Sequence, residues 1–238
     1  MPDVTFIAAS HNTELSGNVV VTNPAGLVAG NLLLAVAGDA EGGQAVNVPA
    51  GFTPIFTHND PGSGCSPATN GPRLQAGWKV ATASDVSAGS FTFISSGFRA
   101  SCALLSFIGY NPANPINTFA VVQDNTINAP SVTTTANGCL LIRIKKAGSG
   151  CFSTRTPGCA GTSPAGHTLR SELCSFTEMA VHTKDAVVSQ GIQPVVVLDV
   201  GGAYALPYHL GATVAIEPAP QGHGGKILAR DFWGELRR

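Results

Sequence analysis

Apolar residues come in short runs along this chain, and the spacing inside each run reads as strand. From Arg73 to Ala81, Leu74, Ala76, Trp78 and Val80 point one way while Arg73, Gln75 and Lys79 point the other. That period of two predicts a half-exposed strand with Trp78 in the core. Cys139–Lys146 alternates likewise, with Leu140, Ile142 and Ile144 against Arg143 and Lys145. Glu178–Val187 sets Met179, Val181 and Val187 against Glu178, His182 and Lys184. Asn31–Gly38 (NLLLAVAG) is apolar almost throughout, the pattern of a strand covered on both faces. In SFTFIS, Phe91 and Phe93 share a face. Further short strands are expected at Val4–Ala9, Val19–Thr22, Gly51–Thr57, Ala100–Gly109, Pro194–Val200 and Ala212–Ile216.

The breaks between these runs carry turn residues. ATASDVSAGS reads as a turn, and the two prolines of NPANP forbid the strand before them from continuing. Two connections, 58–72 and 147–168, are rich in Gly, Pro, Ser and Thr and are longer than a connection needs to be. Length of that kind marks a contact surface or a mobile loop. No amphipathic helix is expected before residue 222, and no internal repeat stands out. Roughly ten to twelve short strands with regular turn signals predict an antiparallel β-sandwich of jelly-roll type. The class is all-β, with one domain over 1–220 and a C-terminal extension over 221–238.

Composition narrows the function classes. Only 11% of the 238 residues are charged and the formal net charge is −1, so there is no basic field for nucleic acid. A 44% hydrophobic content is ample for a packed core. A surface so poor in charge is weakly protected against self-association, which suits a protein that lives among copies or partners. No run reaches the 18 or so apolar residues of a spanning helix. MPDVTFIAASHN has neither a basic n-region nor an apolar h-region, so no secretory signal is expected.

Chemistry-bearing motifs are scarce. The six cysteines (65, 102, 139, 151, 159, 174) include no C-x2-C pair, so no zinc site is expected. Cys102 and Cys139 lie in strand-like runs and read as buried thiols. A bridge between Cys151 and Cys159 is one reading of that loop; Cys174 as partner, or free thiols, are the others. HExxH, GxSxG and Walker patterns are missing. His58 with Asp60 could hold a metal, but a third ligand is lacking. Asp124, Glu172, Glu178, Asp185 and Asp199 are the carboxylates left over from turns, and sequence alone brings no two of them together as hydrolysis of a glycoside would require. Neither catalysis nor a cofactor nor a metal is expected. Tyr204 and Tyr208, in YALPY between the last strands, form either a small ligand platform or aromatic caps on the sandwich end.

The extension is different in character. In KILARDFWGELRR, Leu228, Phe232 and Leu236 recur every four residues and would share a helix face. Ile227, Trp233, Arg237 and Arg238 complete an anchor of hot-spot residue types. Four basic side chains stand against two acidic ones over 222–238, and Gly222, Gly224 and Gly225 supply a flexible joint. A joint followed by such an anchor reads as an arm that docks on a neighbouring subunit; folding back onto its own sandwich is the other reading.

Taken in succession, AGLVAGNLLLAVAGD, GFTPIF, LQAGWKVATASDVSAGSFTF, ALLSFIGYNPANPI, APSVTTTANGCLLIRI and ATVAIEP cover most of residues 20–218. This succession resembles a β-sandwich family of tailed-phage virion structural proteins. The resemblance implies a capsid decoration (cement) protein, a head fibre or a tail appendage. The expectation is a non-enzymatic virion protein, assembled in the host cytoplasm, that stabilises the shell by subunit contacts. Its partners would be the major capsid protein or other head and tail proteins, and a homo-oligomer, a trimer by analogy, is expected. A tail-fibre or tail-appendage module that binds a receptor or carbohydrate is the alternative. No membrane and no direct nucleic-acid contact is expected.

Overall fold

The structure, a computed structural model, describes residues 3–39, 46–59, 73–96, 98–124, 128–147, 163–173, 178–198 and 209–220. The chain is all-β, as its alternation predicts. The strands in order are β1 (Thr5–Ser16), β2 (Val19–Thr22), β3 (Leu32–Asp39), β4 (Val46–Asn47), β5 (Thr53–Asn59), β6 (Arg73–Val80), β7 (Ser90–Ser95) and β8 (Phe98–Ile108) in the first half. The second half carries β9 (Ile116–Asp124), β10 (Asn128–Ala129), β11 (Val132–Thr134), β12 (Leu140–Ala147), β13 (His167–Leu173), β14 (Glu178–Lys184), β15 (Gly191–Gln193), β16 (Val196–Val197) and β17 (His209–Ile216). A short helix α1 (Ala83–Ala88) precedes β7.

That helix corrects the reading of ATASDVSAGS as a turn. Thr82 and Asp85 form a reciprocal capping box, and Gly89 closes the end in the left-handed region at φ 72°. The T-x-x-D spacing was the signal for it.

Two five-stranded antiparallel sheets make the body, in the orders β1-β8-β3-β6-β5 and β13-β14-β12-β17-β9. They face each other across the main core. Leu32, Leu34, Val36, Leu105 and Phe107 from one sheet meet Leu140, Ile142, Ile144, Val214 and Ile216 from the other, all 5% exposed or less. Outside the first sheet lies a three-stranded sheet, β2-β7-β4. It covers Leu33, Ala35, Ala37, Cys102 and Leu104 with Val19, Val21, Phe91 and Phe93. Outside the second sheet lie two ribbons, β10-β16 and β11-β15. Four layers result. They explain why β3 is buried on both faces, as its run of apolar residues predicts, and why Gln75, read as solvent-facing, is 8% exposed with its Oε1 accepting from Val48 N.

The two halves share one plan. Each large sheet runs first strand, last strand, central strand, hairpin: β1-β8-β3-β6-β5 and β9-β17-β12-β14-β13. Every one of these pairings is antiparallel. Laying Leu32 on Leu140 makes the rest coincide. Leu34 pairs with Leu105 and Trp78; Ile142 pairs with Val214 and Thr183. Both central strands follow a G-x-L-L start, in which Gly30 and Gly138 take φ of 94° and 81°, a turn conformation that favours glycine. The sequence had shown no repeat. The structure contains one at the level of topology.

The halves pack about a pseudo-two-fold axis, so that β1 lies against β13 and β5 against β9. At one sandwich end, Glu217 clasps the link between halves, accepting from the amides of Asn111 (2.9 Å), Asn114 (3.3 Å) and Asn117 (2.9 Å). The other end gathers Asp39, Asn59, Arg73, Ala147, Leu173, Glu178 and His209.

Candidate functional site

The residues singled out for docking and ligand contact lie outside the described residues: Ile227, Leu228, Phe232, Trp233, Leu236, Arg237 and Arg238 of the arm, and Tyr204 and Tyr208. So do Asp60, Cys65, Cys151, Cys159, Cys174 and Asp199. His58 is placed in β5. Cys102 and Cys139 are free buried thiols, as read. Among the described residues no group of three His, Cys, Asp or Glu side chains could hold a metal ion. Three other places in the fold invite a functional reading.

The first is the outer face of the second sheet. Alternation along β12 is as read, but its polar side does not meet water. Arg143 and Lys145 are each 1% exposed, beside His182 at 2% and Thr213 at 0%. The equivalent positions in the first half are Ala35, Ala37, Gly77 and Leu104, an apolar set. The cause is the covering ribbons. Arg143 donates to Pro130 O (2.7 Å) and Thr213 Oγ1 (2.6 Å) through Nη1 and to Pro194 O (2.9 Å) through Nη2. It thereby ties the chain on both sides of the ribbons to the sheet. Burial pulls its guanidinium down to about 10, still charged at neutral pH. Burial, then the neighbouring His167 and Lys145, pulls His182 down to about 4. Both terminal nitrogens are engaged by backbone and hydroxyl oxygens, Nε has no partner among the described residues, and at 1% exposure Arg143 acts as a structural tie.

The second is a buried charged spot at the end of β3. Asp39, 1% exposed, lies on the covered outer face beside Cys102, and Lys146, 0% exposed, reaches it from the second sheet past Gly38. Burial raises the Asp39 carboxyl to about 7, against the opposing charge of Lys146. Perturbed groups of this kind often mark active sites. These are sealed, and burial, reinforced by Asp39, pushes the Cys102 thiol well up, away from nucleophilic thiolate.

The third is open. Where β5 faces β9, a groove of about 360 Å³ runs between Pro54, Ile55 and Trp78 on one wall and Ile116, Thr118 and Phe119 on the other. Phe119 is 46% exposed and stacks on Phe56 at 5.9 Å between ring centres. Asn117, also in the lining, has its amide engaged by Thr135 and Glu217, and the groove offers apolar rings beside polar surface of about equal extent. The pseudo-equivalent seam between β1 and β13 is closed. There the Arg170 guanidinium covers the Phe6 ring at 4.4 Å, and Ser171 bonds His11 at 3.1 Å.

Beyond the groove, exposed aliphatic side chains stud both outer flanks: Val20 and Ile94 on one, Ile192, Val195 and Val197 on the other. Among the described residues no helix is long and apolar enough to cross a membrane. Comparison with known protein families, characterised proteins and solved structures finds no match to this chain.

Proposed function

We propose that the chain is a non-enzymatic structural protein of a tailed-phage virion, a capsid decoration or cement protein that stabilises the shell through subunit contacts. The observation that supports it best is the distribution of polarity. Charge is scarce and partly buried, as at Arg143, Lys145, Lys146 and Asp39, while aliphatic side chains are left outside on both flanks, with Ile192 78% and Val197 64% exposed. Apolar surface placed this way favours association. The resemblance described above supplies the setting, and residues 221–238 supply the arm that would dock onto a neighbouring subunit. Binding that favours the assembled state stabilises it by mass action.

One observation favours the alternative, a tail-appendage module for a receptor or carbohydrate. The strand ends that flank 40–45, 60–72, 125–127 and 174–177 lie at the sandwich end marked by Asp39 and Ala147, as does His209, to which the segment carrying Tyr204 and Tyr208 leads. Connections anchored at one end of a rigid sandwich are a common binding arrangement.

One experiment separates the two. Purified full-length protein is incubated with emptied capsids and, in parallel, with host cells. Capsid binding that disappears on deleting residues 222–238 supports the decoration role. Adsorption to cells with no affinity for capsids would replace it with the alternative.

A further inference from the structure

We infer that the groove between β5 and β9 binds a neutral carbohydrate, a pyranoside whose equatorial hydroxyls leave its ring faces apolar. This holds for either role proposed above.

All four edge strands of the large sheets carry a β-bulge at their seam. The extra residues are Ile7 in β1, Arg170 in β13, Ile55 in β5 and Asn117 in β9. A bulge at an edge breaks the even ladder that an added strand would need, and it re-aims a side chain. At one seam the re-aimed Arg170 lies over Phe6 and closes the gap. At the other, Ile55 and Asn117 both line the open groove. Pro54, beside Ile55, removes a backbone donor from the same edge. The open seam is therefore unsuited to an extended polypeptide but keeps room for a small ligand. Its volume of about 360 Å³ falls within the ~300–1,000 Å³ of small-molecule sites.

The surface in the groove selects among small ligands. Trp78 and Phe119 supply rings. One side of Phe119 rests on Phe56, which holds the ring in place, while 46% of the residue stays exposed. The negative face of an aromatic ring attracts the axial C–H groups of a sugar whose hydroxyls are equatorial. The polar half of the lining complements those hydroxyls. Thr118 contributes a hydroxyl that makes no hydrogen bond among the described residues. β5 and β9 each pair on one side only, so their outer backbone groups have no strand neighbour. Asn117 is held by Glu217 and Thr135, so that edge is ordered before a ligand arrives.

Charge is missing from the groove. None of its lining residues is ionisable, and the Glu217 carboxylate at its end is occupied by the amides of Asn111, Asn114 and Asn117. An ion finds no counter-charge there, and a purely apolar ligand would leave the polar half unpaired. A neutral sugar answers both halves.

The test is a titration with cellobiose, whose ring hydroxyls are equatorial, beside mannitol, which has hydroxyls but no ring face. The chain has two tryptophans, so Trp233→Phe leaves Trp78 as the sole reporter. The expected result is a saturable change in Trp78 emission at millimolar cellobiose and none with mannitol. Amide shifts in isotope-labelled protein should be confined to β5, β6 and β9. Phe119→Thr, at an exposed strand position, should weaken binding about tenfold. Thr118→Val keeps the shape and drops the hydroxyl, and should weaken it about threefold; it carries the test if Phe119→Thr fails to fold. No saturable response up to tens of millimolar, an equal response to mannitol, or binding that both substitutions leave intact would overturn the inference. Groove amides that shift with protein concentration and not with sugar would overturn it in favour of a second copy. Capsid binding through residues 222–238 is read in a separate assay, so a groove that ignores sugar leaves the decoration role untouched.

Discussion

Arg143→Ala tests whether the buried cation holds the covering ribbons down. The substitution removes three hydrogen bonds donated by a charged group. Pro130 O and Thr213 Oγ1 keep each other at 2.6 Å, so the acceptor left without its partner is Pro194 O. A charged-group hydrogen bond is worth about 1.5–3 kcal/mol net, and an orphaned buried acceptor costs about 1–3 kcal/mol. Loss of the side-chain volume adds a cavity term, while relief of the buried charge offsets part of the total. The expected loss is about 3–5 kcal/mol, a large share of the roughly 5–15 kcal/mol that holds a typical domain. Arg143→Met keeps the volume and discards the charge, so it should cost less, about 1–3 kcal/mol. Urea unfolding followed by far-UV circular dichroism measures both. Amide exchange localises the effect: segments 128–134 and 191–197 should lose protection while β3 and β8 keep theirs. A loss below about 1 kcal/mol for Arg143→Ala, or exchange rising equally in both halves, would refute the reasoning.

Acid should expose His182. The unfolded chain takes a proton near 6.5 and the folded one near 4, so stability falls as pH drops through that window, by about 3 kcal/mol in all. His182→Gln should therefore gain on the wild type between pH 6.5 and 4 in thermal melts. Asp39 has the opposite sign. Its folded carboxyl holds a proton up to about 7 against 3.8 when unfolded, so it adds stability as pH falls from 7 to 3.8. Asp39→Asn should lose ground to the wild type over that range. A Cβ on Gly211 would sit 1.7 Å from Asn128 O, so Gly211→Ala should lift β10 off β17 and lower the melting temperature by several degrees. Asp85→Ala removes the capping box and the 2.6 Å ion pair with Lys79, and should cost about 1–2 kcal/mol in urea unfolding.

Strand positions were readable because alternation is a local property. Leu74-x-Ala76 and Leu140-x-Ile142-x-Ile144 announce their faces within a few residues. What covers the opposite face is a long-range fact. Nothing near Arg143 in sequence says that the segments around Pro130 and Pro194 close over it, and a charged residue on an alternating strand reads as solvent-facing. Pairing is equally remote: β1 joins β8 across most of the first half. The repeat escaped for a chemical reason. Its matching positions carry Ala35 and Arg143, or Gly77 and His182, so only G-x-L-L survives in letters. One wall of the groove was legible as strands, Gly51–Thr57 with Pro54 and Ile55 and the run holding Trp78, which reads as core and is partly buried at the edge. Phe119 and Ile116 come from a strand that the sequence reading had not assigned.

Because each chain carries the same strand plan twice, it behaves as a fused pair whose members have drifted apart, one filled with hydrocarbon and the other with cations. The cations lie inside the second member, so a substitution that is silent at Ala35 or Gly77 has no silent counterpart at Arg143 or His182.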